Sequence, residues 1–370
     1  MEDNQHLSEN EALVTPICKR LGIQHPIFGF SMEIDVVAAV TNAGGFGVYG
    51  ATRDKPEEIV AKLARLRSLV GDRPFGVDLL LPLGMGDKND LEAAKAELPE
   101  EHKEFVKNIK YKYHVPDATT RSFFSQMVRS NELFAAQIDA VLKSDANLFA
   151  SAIGTPQDVI ERAKAAGMVT LSLVGAPKHV KYAKAAGIDL IVAQGYDAGG
   201  HTGPIGTLSL VPQIVDAAGD IPVLAAGGIG TGRQVVASLA LGAQGVWLGT
   251  AWLATAEHNL HQILLNKLLK AGSMDTIISR AHSGKSCRVL KTAWSDEWDA
   301  NGAPKPLKMP FQQVLIGEIL TGIMEHEIEP LMYEGAGQGV VWSTEKTTVQ
   351  QVIEGLLAEA REALARLKII

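Results

Sequence analysis

Eight short apolar runs recur along the chain, and most are followed by a stretch whose apolar positions return every three or four residues. The runs fall at 26–30 (PIFGF), 44–50 (GGFGVYG), 74–81 (PFGVDLLL), 147–154 (NLFASAIG), 169–175 (VTLSLVG), 189–195 (DLIVAQG), 221–228 (IPVLAAGG) and 245–250 (GVWLGT). Continuous apolar runs of this length, most bounded by glycine, read as strands buried on both faces. Between them, 35–44, 55–71, 155–167, 176–187 and 231–245 read as helices. The second has Pro56 near its first turn, and the third has Thr155 as N-cap with Pro156 at the first helical position, closing on Gly167. The phrase AKAAG occurs at 163–167 and again at 183–187, each time before a strand, as consecutive strand–helix units would place it.

Eight strands with helical crossovers predict an α/β fold, a (β/α)8 TIM barrel, because parallel strands need right-handed crossovers. A doubly wound open sheet is the alternative. Two segments break the rhythm. Residues 83–145 separate the third and fourth strands by far more than one crossover needs, and carry helical patterns at 101–116 and 122–144. The expected organisation is therefore barrel over 1–82 and 146–257, a helical insertion over 83–145, and a C-terminal cap with closing helices over 258–370. In a barrel that insertion leaves from the catalytic face, so it is either a lid or a packed decoration.

Composition narrows the class. The 370 residues are 46% hydrophobic and 21% charged, and 35 Lys+Arg stand against 42 Asp+Glu for a net charge of −7. Nucleic acid and anionic membrane are poor partners for such a chain. Two distant cysteines, Cys18 and Cys287, make no disulfide framework and suit a reducing compartment. The polar N-terminal leader is unlike a signal peptide, and no apolar run approaches the roughly 20 residues of a membrane helix. A cytoplasmic protein is expected, with a homodimer admitted as its assembly.

The chemistry of a barrel lies just beyond its strands. Those positions hold Gly29-Phe30-Ser31-Met32, Gly50, Asp78, Ser151, Ser172, Gln194, Gly199-Gly200-His201, Gly227-Gly228 and Gly249-Thr250. No lysine stands there for a Schiff base, and no carboxylate or histidine cluster for a metal, so no metal is expected. His258 and His261, three apart on an expected helix, read as ordinary histidines rather than ligands. The strongest signal is AAGGIGTG after strand seven and LGTAW after strand eight. Glycines at these turns let main-chain amides approach a phosphate, with a helix N-terminus adding its dipole and Thr250 a hydroxyl.

The successive motifs PIFGFSM, PFGVDLLLP, AQGYDAGGHTG, AAGGIGTG and GVWLGTAWLAT resemble those of the nitronate monooxygenase family, and SGKSCRVLKTAW and GAGQGV in the tail share the likeness. The resemblance covers all eight strands but not 83–145. It implies FMN at the catalytic face, its phosphate on Gly227, Gly228, Leu248, Gly249 and Thr250. Gln194 would meet the isoalloxazine or ribityl region, Gly199 and Gly200 would allow close approach, and the turn Gly29, Phe30, Ser31, Met32 would line one side of the ring. Asp78 stands where the family commonly has Asn, and an ionised carboxylate there would disfavour negative charge on the reduced ring unless burial keeps it protonated. His201 is the position implied as catalytic. A near-neutral imidazole could take a proton from carbon next to a nitro group, or hold a nitronate already ionised. Asp197, in place of the usual Glu, is expected to brace the loop.

The resemblance implies oxidation of a nitronate or nitroalkane with O2 to a carbonyl compound and nitrite. The same motifs also occur in NAD(P)H-dependent flavin reductases of enoyl thioesters or quinones, which stand as the alternative. A non-catalytic flavin- or phosphate-binding protein is the second. Chemistry of the IMP dehydrogenase kind needs a cysteine after the sixth strand, where this chain has none.

Overall fold

The computed structural model describes residues 13–367, so the leader at 1–12 lies outside the described residues. Eight parallel strands close into a barrel in the order β1-β2-β3-β4-β5-β6-β8-β9. They are β1 (Ile27–Ser31), β2 (Phe46–Gly50), β3 (Phe75–Leu80), β4 (Leu148–Ala152), β5 (Val169–Val174), β6 (Leu190–Gln194), β8 (Val223–Ala226) and β9 (Gly245–Leu248). Pairing of Gly29 with Leu248 between β1 and β9 completes the circle. Each strand coincides with an apolar run of the sequence, β1 running one residue past its run to Ser31, and the open-sheet alternative is ruled out.

Alternation along the strands separates two apolar layers. Phe28, Phe46, Val48, Leu148, Leu171, Leu190, Val192, Leu224 and Trp247 point inward and fill the barrel. Ile27, Phe75, Val77, Phe149, Ile191 and Val246 point outward against the helices. Burying each such side chain contributes roughly 1.5–3 kcal/mol, so the strands are held from both faces. The short helix Pro16–Leu21 lies against the inner layer through Ile17 and Cys18.

The crossover helices run Ile34–Asn42, Pro56–Val70, Gln157–Ala165, Pro177–Ala185, Thr207–Ala218 and Gly232–Ala240. One expected cap moves. The cap of Gln157–Ala165 is Pro156, and Thr155 instead places its Oγ1 2.7 Å from Ser172 Oγ. The 122–144 pattern also splits, into helices Phe123–Gln126 and Asn131–Leu142. Between them Val128 donates its amide to Asn89, and Ser130 caps the second helix by accepting from the Leu133 amide. That second helix packs against Pro56–Val70 and β3, the place of a barrel crossover.

The remaining insertion helices Leu91–Ala96, Glu100–Lys112 and Phe123–Gln126 pack instead on the tail helix Phe311–Glu325. Val106 and Ile109 share a core with Trp294, Trp298, Ile316, Ile319 and Ile323. Insertion and tail thus build one helical cap over the barrel. A second sheet, which no sequence pattern announced, fastens it. Strands β10 (Thr276–Ser279) and β11 (Cys287–Leu290) form a hairpin, and β11 pairs antiparallel with the two-residue β7 (Gly200–His201), Cys287 facing His201. The closing helix Val349–Leu367 covers Gly232–Ala240. No described helix is long and apolar enough to cross a membrane.

Candidate active site

At the carboxyl ends of the strands the barrel and its cap enclose a cavity of about 1820 Å³. Phe30, Ser31, Met32, Asp78, Gln194, Gly199, Gly200, His201, Gly227, Gly228, Leu248, Gly249 and Thr250 all line it. Gly29 does not: a Cβ there would strike Val40 on the outer face, 2.6 Å away, so this glycine serves helix packing. Phe30 stacks on Trp247 at 5.9 Å, which lays an aromatic floor across the barrel mouth.

Two turns present unpartnered main chain. Gly227 and Gly228 have φ of 112° and 70°, a backbone that side-chain-bearing residues rarely adopt. Among the described residues the amides of Gly228, Ile229 and Thr250 have no hydrogen-bond acceptor. Thr250 Oγ1 accepts from the Gly337 amide at 2.8 Å and keeps its own proton to donate. A Cβ on Gly249 would meet nothing nearer than Phe30 at 4.0 Å, so it would project into open space. This arrangement fits a phosphate. The expected contribution of the next helix does not materialise, because Gln234 accepts from the amides of Gly230 and Thr231 and Glu359 accepts from that of Gly232.

His201 stands on the rim of this floor. Its Nε2 lies 2.7 Å from Ser283 Oγ, and its carbonyl accepts from Gln194 Nε2 at 2.7 Å. Burial, then the charges of Arg129, Arg53 and Lys285, push its pKa down to about 3. The near-neutral imidazole expected from the sequence is thus corrected: His201 is uncharged throughout the physiological range. Gly200, φ 71° with nothing within 4 Å of a notional Cβ, leaves the space beside it open. Gly199 has another purpose, since a Cβ there would lie 2.7 Å from the Gly337 amide. Asp197 braces the loop as expected, its Oδ2 accepting from the Thr207 amide at 2.7 Å. Asp78 is buried, its Oδ1 has no partner, and burial raises its pKa to about 7.

The tail supplies what the strand-end reading missed. His282 Nδ1 lies 2.7 Å from the Tyr333 hydroxyl, and Arg53 Nη2 donates to His282 Nε2 at 3.2 Å. A guanidinium can only donate, so Nε2 accepts, Nδ1 carries the proton, and the Tyr333 hydroxyl is left with its own proton to give. Arg129, buried, donates Nε to Gln313 Oε1 at 3.0 Å while its Nη1 has no partner. Ser283 opens the SGKSCRVLKTAW motif and His282 precedes it, and Arg53 follows the β2 tip by three residues; Arg129 left no sequence signal. Cys287, distant in sequence, also lines the cavity, but burial pushes its thiol up to about 12 and removes it as a nucleophile. His258 is in a turn with its pKa lowered to about 4 by burial, whereas His261 caps helix Gln262–Lys270 through the Ile263 amide. Neither lies in the helix the sequence led one to expect, which starts at Gln262.

A closed (β/α)8 barrel with free main-chain amides after its last strands and a buried imidazole at its mouth has the make-up of a TIM-barrel enzyme site. The chain belongs to the nitronate monooxygenase family, a family of flavin enzymes, whose model matches residues 13–359. It is 43% identical over 312 residues to a Mycobacterium tuberculosis protein named as a monooxygenase, covering 82% of this chain and 83% of that one. It is 30% identical over 341 residues to a Staphylococcus aureus protein named as a nitronate monooxygenase, covering 87% and 90% respectively. Among solved structures it resembles nitroalkane oxidase from Streptomyces ansochromogenes at a TM-score of 0.79 and 29% identity, covering 94% of this chain and 99% of that one.

Proposed function

We propose that the protein binds FMN and oxidises a nitronate with O2, giving a carbonyl compound and nitrite. Gly227, Gly228, Leu248, Gly249 and Thr250 would hold the phosphate through the free amides and the Thr250 hydroxyl. Gln194, whose Nε2 is held by the His201 carbonyl, and the open face of Gly200 would receive the ring region. Bound flavin would supply the two-electron acceptor and the route to O2.

The observation that carries the reading is His201, uncharged and fixed by Ser283 at the cavity wall. A base with a pKa near 3 is badly matched to removing a proton from a nitroalkane carbon. The same group can donate or accept a hydrogen bond toward a nitronate that arrives ionised, and Arg129, Arg53 and Lys285 favour that negative charge. Substrate therefore enters as the anion. His201 positions it and Ser283 sets the tautomer.

Two measurements test this together. Purified protein should release FMN on denaturation, and His201→Ala should retain flavin while nitronate turnover falls by about 10²-fold or more. Activity on preformed nitronate should show no inflection from His201 between pH 5 and 9. Flavin bleached anaerobically by NADH but not by alkyl nitronate would move the assignment to the reductase alternative, and unchanged turnover in His201→Ala would remove His201 from the mechanism.

A further inference from the structure

Alternation turns every second strand residue into the barrel, and the inward layer nearest the cavity holds Phe30 on β1, Asp78 on β3, Leu173 on β5, Gln194 on β6, Ala226 on β8 and Trp247 on β9. Asp78 belongs to that layer because its neighbours Val77 and Leu79 face the outer one. Of the six it alone can ionise. It is 4% exposed and its Oδ1 has no partner. The residues paired with it on the flanking strands, Gly50 and Ala150, offer no polar side chain. A carboxyl taken out of water with an oxygen unmet is costly, and least so when it keeps its proton. Burial alone raises its pKa, to about 7. The titratable groups that reach the same cavity from around it, Glu33 after β1, Arg53 in the turn after β2, Arg129 on the insertion, His201 after β6 and His282 on the tail, do not shift it.

The place of this carboxyl in the barrel gives it a use. β3 lies opposite β8 in the closed ring, with β4, β5 and β6 between them one way and β2, β1 and β9 the other. The free amides after β8 and β9 and the unmet carboxyl of β3 therefore face each other across the barrel mouth, with Gln194 and His201 on the β6 side. A mononucleotide anchored by its phosphate on those amides has its ring directed over the floor toward β3. The edge of a flavin ring carries carbonyl oxygens and ring nitrogens, acceptors for the one O–H of a neutral carboxylic acid. Reduction places negative charge on that ring, which a donated proton stabilises and a carboxylate opposes. Asp78 therefore holds its proton more tightly beside the reduced ring than beside the oxidised one.

We propose that Asp78 couples a proton to the redox state of the bound flavin. As the ring gains two electrons and one proton from the reductant, the Asp78 carboxylate takes one further proton from water in the cavity, and it returns that proton when the ring is reoxidised. An amide at this position donates at every pH, so the coupling belongs to the carboxylic acid. The inference rests on the flavin assignment above and not on a nitronate as the substrate.

The test is a spectroelectrochemical titration of the flavin-loaded protein with dithionite and mediator dyes between about pH 5 and 9, beside Asp78→Asn. Above about pH 7 the wild-type potential should fall about twice as steeply per pH unit as that of Asp78→Asn, because two protons rather than one accompany the two electrons. Below that pH the two should run parallel. Reduced-minus-oxidised infrared spectra of the wild type at about pH 8 should gain the carbonyl band of a protonated carboxylic acid, a reading that holds even where Asp78→Asn loads flavin poorly. Potentials that stay parallel throughout, or wild-type spectra without that band, would overturn the proposal. Nitronate turnover is assayed separately. Its absence with coupled potentials refutes the oxidation reading alone, parallel potentials with turnover intact refute this one alone, and a protein that takes up no flavin refutes both.

Discussion

Two buried arginines, Arg288 behind the cavity lining and Arg129 on it, are treated in opposite ways. Arg288, on β11, donates Nε and Nη2 to the Tyr196 carbonyl at 3.1 and 3.0 Å, and Nη1 to Thr276 Oγ1 at 3.1 Å. Its guanidinium also lies over the Tyr196 ring at 4.4 Å. Arg129 has one amide partner and a buried nitrogen with none. Equal burial therefore hides different purposes. A charge whose nitrogens meet a main-chain carbonyl and a hydroxyl is a fastener, here tying the tail hairpin to the loop after β6. A charge left partly unmet on a cavity wall adds little to the fold and keeps a donor directed at the cavity.

The contrast yields its largest effect at the fastener. Arg288→Met strands the Tyr196 and Thr276 carbonyls, and should lower unfolding free energy by about 3 kcal/mol or more in urea denaturation. Arg129→Met should leave stability unchanged or raised, since it removes a desolvated charge without abandoning a charged partner. Equal losses in the two variants would break the comparison.

Asp78 extends it to an acid. Its carboxyl is buried with an unpartnered oxygen, and its pKa is raised from 3.8 to about 7. A folded-state value above the unfolded one means the native form binds the extra proton. The stability this gives is complete below about pH 3.8 and is lost as pH rises to about 7. Asp78→Asn should therefore gain on the wild type across that window and level off above it, read as the difference between two denaturation series. A flat difference would show that Asp78 finds a partner.

Smaller effects bracket the rest. Gly200→Ala forces a side chain into φ 71° at the open floor, and should cost about 1 kcal/mol while weakening flavin retention. Arg65, paired with Asp35 at 2.8 Å with both side chains half exposed or more, is the solvated control: Arg65→Ala should change stability by under about 1 kcal/mol.

The barrel was legible because each strand is a local apolar run, and a period of alternation needs no knowledge of what lies across the molecule. The cradle was legible for the same reason, as its glycines sit at fixed positions after β8 and β9. His201 announced itself among glycines. Its lowered pKa did not, because it comes first from burial in the folded chain and then from cations on the insertion, the β2 turn and the tail. Strand β7, two residues long, exists only through its pairing with β11, and no local pattern encodes that. Arg129 lay in an amphipathic stretch that reads as one helix and folds as two.

The pairing of Cys287 with His201, together with the Gly337 amide on Thr250, has a consequence for biosynthesis. A nascent chain that has cleared the ribosome through β9 already possesses all eight barrel strands, yet neither the serine that orients the imidazole nor the amide that meets Thr250 has emerged. Both reach the site from residues beyond 280, so the eight barrel strands alone do not complete it.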